Sequence, residues 1–459
     1  MMRRALRVTV VMTGLALAAA GCGSGGNNTN TPPGSGATGG ASGGSTGGST
    51  GGGTVALPKL DGQTLEVAAV WTGDEQKNFL QVVKPFEEQT GATIKYTSTG
   101  DQIASVLTPR VKGGSPPDVA FLPQPGLMAQ FAQSGALKPV TNEVSSAVDQ
   151  NYAPVWKDLG TIDGKLYGVW FKASNKSTVW YNVKSFSDAG VQPPKTWDEF
   201  IKAAQTLSDA GQEPVAIGGA DGWTLTDWFE NVYLSQAGPD MYDKLTKHEI
   251  KWTDDSVKKA LETLAQLWGD PKLLAGGTSG SLQTDFPTSV TKVFSNPPKA
   301  AMVYEGDFVA GVITSSTKAK LGTDAKFFPF PAVGDKPAVV GGGDVAVAFK
   351  DNPGAMALLQ YLASPQAAEI WVKAGGFTSP NKNVSFDAYP DQISSDVAKS
   401  LIDAGDSFRF DMSDQAPSAF GGTKGAGEWK DLADFLRNPK DVQGAMQALE
   451  ADAAKAYGK

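Results

Sequence analysis

Between Thr64 and Phe131 the chain alternates short apolar runs with helical spacings, and that order constrains the fold more than any other feature. TLEVAAVW (Thr64 to Trp71) reads as a short buried strand. GDEQKNFLQVVKPFEEQTG then places Phe79, Val82, Val83 and Phe86 at helical spacing, with Asp74 as a cap and Gly91 as a stop. ATIKYTST alternates as a strand, DQIASVLTPRVKGG reads as a helix from Asp101, and PDVAFLP reads as a strand followed by a helix through Phe131. This β-α-β-α-β-α order marks a parallel sheet with helices on its faces. Ligands of such sheets sit beyond the carboxyl ends of the strands. The loops after Val70, Thr99 and Leu122 are therefore expected to face a cleft, and they carry Trp71, Asp74, Glu75, Asp101 and Gln124.

The pattern then restarts. KLYGVWF and STVWYN are strands, TWDEFIKAAQTLSDAG (Thr196 to Gly211) is a helix and PVAIGG is a strand. WTLTDWFENVYLSQAG (Trp223 to Gly238) and DSVKKALETLAQLW (Asp255 to Trp268) are helices. AAMVYEGD is a strand ending in carboxylates, DVAVAF is another, and a helix pair broken at Pro365 follows. The tail from Lys430 is helical. Two α/β units joined by crossings at about Lys172 and Asp307 give an α/β, two-lobe chain with a cleft.

Composition excludes several activities. The chain holds 40 Lys and Arg against 48 Asp and Glu, a net charge of −8. Nucleic acid binding needs cations to neutralise phosphates, so no nucleic acid partner is expected. A single histidine, His248, lies in the polar stretch KLTKHEIKW and reads as exposed surface. With no cysteine in the body, there is no cluster for zinc and no triad beyond that one imidazole. GGGD at Gly341 to Asp344 lacks the lysine and spacing of a phosphate loop. No metal and no cofactor are expected, and catalysis is not.

The N-terminus reads differently. Arg3, Arg4 and Arg7 precede an apolar run from Val8 to Ala20. It is shorter than the ~20 residues a membrane span needs and suits a secretory leader. Ala19, Ala20 and Gly21 lead into Cys22, the only cysteine in the chain. The arrangement resembles the lipobox of bacterial lipoproteins, with Ala19 where that motif usually has leucine. The resemblance implies cleavage after residue 21 and lipidation of Cys22. Residues 22–56 are then a lipidated cysteine and a Gly/Ser/Thr linker, expected to be disordered. Such a tract reaches on the order of 30 Å. A folded body tethered on the extracytoplasmic face of a bacterial cell membrane is the expectation.

The residue chemistry of the body suits a sugar. A sugar ring has apolar C–H faces that stack on aromatic rings and hydroxyls that each need a partner when buried. Several of the 11 tryptophans are flanked by acids: Trp71 by Asp74 and Glu75, Trp223 and Trp228 by Asp227. One of Trp223 and Trp228 is expected to stack on ligand, not both. In WTLTDWFENVYL, Trp223, Asp227 and Glu230 fall near one helix face. Trp156, Trp197, Trp252, Trp268 and Trp371 read as packing. Lys172 suits either a hinge salt bridge or a ligand contact. Glu305 and Asp307 end a strand and either bind hydroxyls or cap the next helix. Asp344, after three glycines, implies close backbone approach to a ligand or a neighbouring strand. Phe377 lies where the chain recrosses, and Arg409 either reaches the cleft or pairs with Asp411.

KPFEEQTGATIKY, RVKGGSPPDVAFLPQPG, DGKLYGVWFKASNKSTVWYN, KTWDEF, AGPDMYDK, GGGDVAVAF and FRFDMSDQ together resemble the family 1 extracellular solute-binding proteins of carbohydrate ABC importers. Within them the chain is most similar to the α-glucoside-binding branch, from about residue 65 to the C-terminus. The resemblance implies a maltose-binding-protein-like, type II periplasmic-binding-protein fold. It places residues 57–171 with 308–376 in one lobe and 172–307 with 377–459 in the other. It also implies a monomer that hands its sugar to the transmembrane subunits of a permease. Two other readings are weighed against it. One is a surface-anchored glycoside hydrolase built on Glu305 with Asp307 or Asp227. The other is the same fold holding a polyamine.

Overall fold

The computed structural model describes residues 55–334, 338–404 and 407–459. Cys22, the leader and most of the linker lie outside the described residues. Twelve strands occur among the described residues: β1 Thr64–Ala69, β2 Thr93–Ser98, β3 Val119–Leu122, β4 Thr161–Ile162, β5 Lys165–Leu166, β6 Gly168–Asn175, β7 Thr178–Asn182, β8 Val215–Ala216, β9 Met302–Glu305, β10 Ala325–Pro329, β11 Val339–Ala348 and β12 Phe408–Phe410.

They form two main sheets. The first has the order β12-β11-β3-β1-β2, with β6 on the free edge of β11. The second has the order β10-β7-β9-β8. β1 pairs in parallel with β2 and β3, as the opening alternation predicts. Both sheets are mixed as wholes: in the first β11 runs antiparallel to both β3 and β6, and in the second β9 pairs in parallel with β8 and antiparallel with β7. A strand arriving from far along the chain carries no local mark of its direction.

Each sheet has its own apolar core. The helix Gly73–Thr90 buries Phe79, Val82, Val83 and Phe86 against the first sheet, each contributing about 1.5–3 kcal/mol. Gly91 ends that helix in the left-handed region at φ 79°. Asp74 does not cap it. Asp74 lies in the first turn and pairs with Lys77 at 2.6 Å, where a carboxylate opposes the positive end of the helix dipole. The helix Trp197–Asp209 opens with a capping box between Thr196 and Glu199. The helix Trp223–Ala237 is buried on every side from Thr224 to Leu234, the mark of a helix at the centre of its layer.

The passage between sheets differs from the expected one. Lys172 still belongs to β6, opposite Asp344. The chain leaves the first sheet only at Lys176 and Ser177, before β7. There the Lys176 amide donates to the Val340 carbonyl, and Ser177 Oγ accepts from the Val340 amide, both at 2.9 Å. Nor does the chain return at Asp307. Val309, Ala310 and Ile313 pack with Trp180 and Val303 of the second sheet, and β10 pairs with β7. Residues 308–330, expected in the first lobe, therefore pack with the second. Phe377, Leu401 and Phe410, expected in the second, pack into the first core. Apolar periodicity reports that a segment is buried, not which sheet buries it.

Gly341, Gly342 and Gly343 explain themselves in this setting. A Cβ on Gly341 would strike Phe408, and one on Gly343 would strike the Lys172 carbonyl. A Cβ on Gly342 would lie 2.9 Å from Lys176 Cε. Of the two alternatives read for the glycine run, the neighbouring strand is the one these contacts describe.

Candidate functional site

Two lysines, Lys172 on β6 and Lys176 just beyond its end, organise the predicted residues. Lys172 Nζ pairs with Glu75 at 2.5 Å. Asp344 and Asp307 bring further negative charge to it. Asp344 accepts the indole N–H of Trp71 at 3.1 Å, and Asp307 accepts the Thr378 hydroxyl. Burial alone would lower the Lys172 pKa, but Glu75 and Asp344 outweigh it and raise it. Burial pushes Asp307 and Asp344 each up to about 6, against the pull of Lys172.

Lys176 has a more acidic setting. Its Nζ lies 2.5 Å from Asp411, 3.2 Å from Asp227 and 3.5 Å from Asp414. These acids outweigh burial and hold the ammonium well above its ordinary pKa. Its backbone carbonyl accepts from Asn231 Nδ2 at 2.9 Å and from the Tyr304 hydroxyl at 2.8 Å. Glu230 accepts from the amides of Met412 (2.5 Å) and Ser413 (2.9 Å) and from the Tyr242 hydroxyl (2.5 Å). Glu230 thereby clamps the segment that carries Asp411 and Asp414. Oxygens of Asp227, Glu230 and Asp411 lie within 4.8 Å of one another. The Lys176 ammonium, two amides and a phenol already serve these oxygens, so the donor set is that of an ion-pair cluster.

Aromatic rings join the two lysines. Lys172 Nζ stands 5.7 Å from the Phe308 ring centroid, and Lys176 Nζ stands 5.7 Å from that of Trp223. Phe308 and Trp223 meet at 5.9 Å, and Phe286 touches both, at 5.2 and 5.5 Å. All three rings are partly exposed. The result is a ledge of rings with an ammonium at each end and carboxylates beside it. Such a surface stacks on apolar C–H faces and hydrogen-bonds a rim of hydroxyls.

The structure thus gathers Trp71, Glu75, Lys172, Asp307 and Asp344 in one group and Trp223, Asp227 and Glu305 in another. Trp71 is 1 % exposed and packs on Phe79, Phe121 and Trp371. Trp228 is also 1 % exposed and meets Tyr304 and Phe330 in the second core. Phe377 stacks on Trp371 at 4.9 Å. Asp74 pairs with Lys77. Asp101 faces Lys424, which also contacts Asp221 at 3.2 Å; burial, then Asp221, pushes Asp101 up to about 6. Gln124 is buried against Gly422. Arg409 pairs with Asp243 at 2.7 Å, not with Asp411; Asp411 is taken by Lys176. His248 is not at the surface. It is 7 % exposed, its Nε2 is 3.2 Å from Glu450 and its ring lies on Tyr457. Both partners come from the C-terminal helix, so a local polar sequence gave no sign of them.

Lys176, Phe286, Phe308, Asp411 and Asp414 were not among the predicted residues. Two of them carry a signal. Lys176 has the strand phase of Lys172, since residues an even number apart share a face. Phe308 directly follows the carboxylates that end β9.

Residues 71–369 match the family described as bacterial extracellular solute-binding protein. The chain belongs to this family. The osmoprotective compounds-binding protein GgtB of Synechocystis is 34 % identical over 396 residues, covering 83 % of this chain and 91 % of its own. The alpha-glucosides-binding periplasmic protein AglE of Rhizobium meliloti is 35 % identical over 406 residues, covering 84 % and 87 %. Among solved structures, the bacterial solute receptor AcbH superposes with a TM-score of 0.75 at 20 % identity, covering 86 % of this chain and 99 % of that one. The GacH receptor of Streptomyces glaucescens gives 0.69 at 17 % identity, covering 87 % and 100 %. The fold is that of the two-lobe, maltose-binding-protein-like solute receptors.

Proposed function

We propose that this solute-binding protein captures a di- or oligosaccharide, an α-glucoside in the first instance, and delivers it to the permease of an ABC importer. The observation that carries the reading is the partly exposed ledge of Trp223, Phe286 and Phe308 between Lys172 and Lys176. Rings offer the stacking face, and the surrounding acids and ammoniums offer partners for hydroxyls. Sugar bridging both lobes would favour their closure through its differential affinity for the closed form. A relative named for α-glucosides supports a sugar, and one named for osmoprotective compounds agrees with a solute-binding role. In this reading the protein acts as a monomer, held to the outer face of the membrane by a lipid on Cys22. No described helix is long and apolar enough to cross a membrane.

The contact between Asp227 and Glu305 disfavours that pair as the two acids of a glycoside hydrolase. Retaining enzymes hold two carboxyls ≈ 5–5.5 Å apart and inverting ones ≈ 6.5–9.5 Å, with substrate between. Asp227 and Glu305 instead contact each other directly.

Calorimetric titration with maltose, maltotriose, trehalose, sucrose, cellobiose and spermidine tests the proposal. Micromolar or tighter binding of an α-glucoside without turnover is the expected result. Silence across the sugars, or a response to spermidine alone, overturns it. Cys22→Ala is expected to release the protein from the membrane fraction.

A further inference from the structure

The acids around Lys176 are not equivalent. Glu230 and Asp411 have full sets of donors: Glu230 takes two amides and the Tyr242 phenol, and Asp411 takes Lys176, the Ser413 hydroxyl at 2.8 Å and the Asp414 amide at 2.9 Å. Asp227 has Lys176 on one oxygen and no protein donor on the other. Glu305 has no protein donor on either oxygen. Asp227 is 0 % exposed and Glu305 1 %, so both are shut off from bulk water. An ionised carboxylate in that condition carries a large desolvation penalty. The two carboxyls lie in hydrogen-bonding contact with each other, and Asp227 also touches Asp411, whose own donors are already in place. A proton retained by one is the donor both lack.

We infer that Asp227 and Glu305 share a single proton, and that this proton keeps Lys176 in position for solute capture. Both residues act as positioning groups through Lys176, and the inference rests on the solute-binding reading above. With the proton present, Lys176 stays beside Asp411 and over the ring of Trp223. Losing it places a second negative charge behind the ammonium and draws it back, away from the ledge.

The charged and titratable neighbours agree. Lys176 comes from the crossing, Glu230 from the central helix, Tyr242 from the helix Pro239–Thr246, Tyr304 from β9, Asp411 and Asp414 from the segment after β12, and Glu428 from the helix Gly427–Arg437. Burial is the largest cause for both carboxyls of the pair and raises them; Lys176 opposes this without reversing it, and the surrounding acids add to the rise. A raised acid pKa favours the assembled site at low pH. The advantage is lost as pH rises through the raised value.

The test compares the purified wild-type protein with Glu305→Gln and, as a second variant, Asp227→Asn. The first readout needs no ligand: the infrared band of a protonated carboxyl in the wild-type minus Glu305→Gln difference, followed from about pH 6 to about pH 10. The band is expected at neutral pH and should fade on alkaline titration. Its absence at neutral pH overturns the shared proton. The second readout is affinity for maltose and trehalose across the same range. Wild-type affinity is expected to fall by up to about tenfold per pH unit in the titrating range, and the profile of Glu305→Gln to be flat. A band without any pH dependence of affinity overturns the coupling to capture. If neither sugar binds, the sugar reading fails separately. The emission difference between wild type and Trp223→Phe then reads Lys176 directly, and no change through the fading of the band overturns the inference.

Discussion

Lys172 and Lys176 point from the same run of chain, yet their surroundings are built on different rules. Around Lys172 each acid has at least one donor or open water: Asp344 has the Trp71 indole, Asp307 has the Thr378 hydroxyl on one of its oxygens, and Glu75 lies at the rim. Around Lys176 the acids outnumber the donors, and Glu305 has none. A balanced set braces a fold. A set with acceptors to spare is matched to something that brings hydrogen-bond donors or protons.

Removing each lysine tests that contrast most severely. Lys176→Met leaves Asp411 and Asp227 buried without their cation, a change that costs about 3–5 kcal/mol. Urea unfolding should show it, with solute affinity lost. Lys172→Met is expected to cost less than half as much, because its acids keep other partners. Equal losses would break the comparison.

The two tryptophans of the central helix sharpen it. Trp228→Ala opens a cavity in the second core and should cost about 3–5 kcal/mol. Trp223→Ala removes a partly exposed ring, so stability should change by no more than about 1 kcal/mol, while sugar affinity falls at least tenfold in calorimetry.

Proton uptake separates the groups further. Asp307 and Asp344 are raised to about 6 in the folded protein, against about 3.9 in an unfolded chain. The stability they favour is complete below the unfolded value and is lost as pH rises through about 6. Asp411 is held well below its ordinary value, with Lys176 overcoming burial. Its contribution is present above about pH 3.9 and is lost on acidification. Melting temperature should therefore peak at about pH 4 to 5 and decline towards neutrality, and Asp344→Asn should shallow that decline. The smallest effect is expected from the Arg409–Asp243 pair, read by a double-mutant cycle that isolates it. Asp243 is partly exposed, and such pairs are worth about 1 kcal/mol or less.

Local chemistry was legible in the sequence. The helix Asp255–Trp268 has the bounds its periodicity predicts, and Gly91 ends its helix where a left-handed residue is needed. Trp156, Trp197, Trp252, Trp268 and Trp371 are buried as expected. Among the site residues, Trp223 was legible as the ring beside an acid and Glu305 as the acid ending a strand. What the sequence withheld depends on distant partners. β10 could not announce its pairing with β7. Arg409 could not declare Asp243 over Asp411, nor His248 its contacts with Glu450 and Tyr457. Lys176 was overlooked for a related reason: its acids at 227, 411 and 414 are dispersed along the chain, and only the fold collects them.

Gly342 carries the last consequence. The stem of Lys176 runs where a side chain on residue 342 would stand. The character of the ledge is therefore held partly by an omission, at a residue that has no side chain to offer a solute. Redesigning the protein towards a different solute through this ledge is best begun by varying rings and acids while leaving that empty volume alone. Even alanine at 342 would re-aim the ammonium and alter the fit of any solute on the proposed ledge.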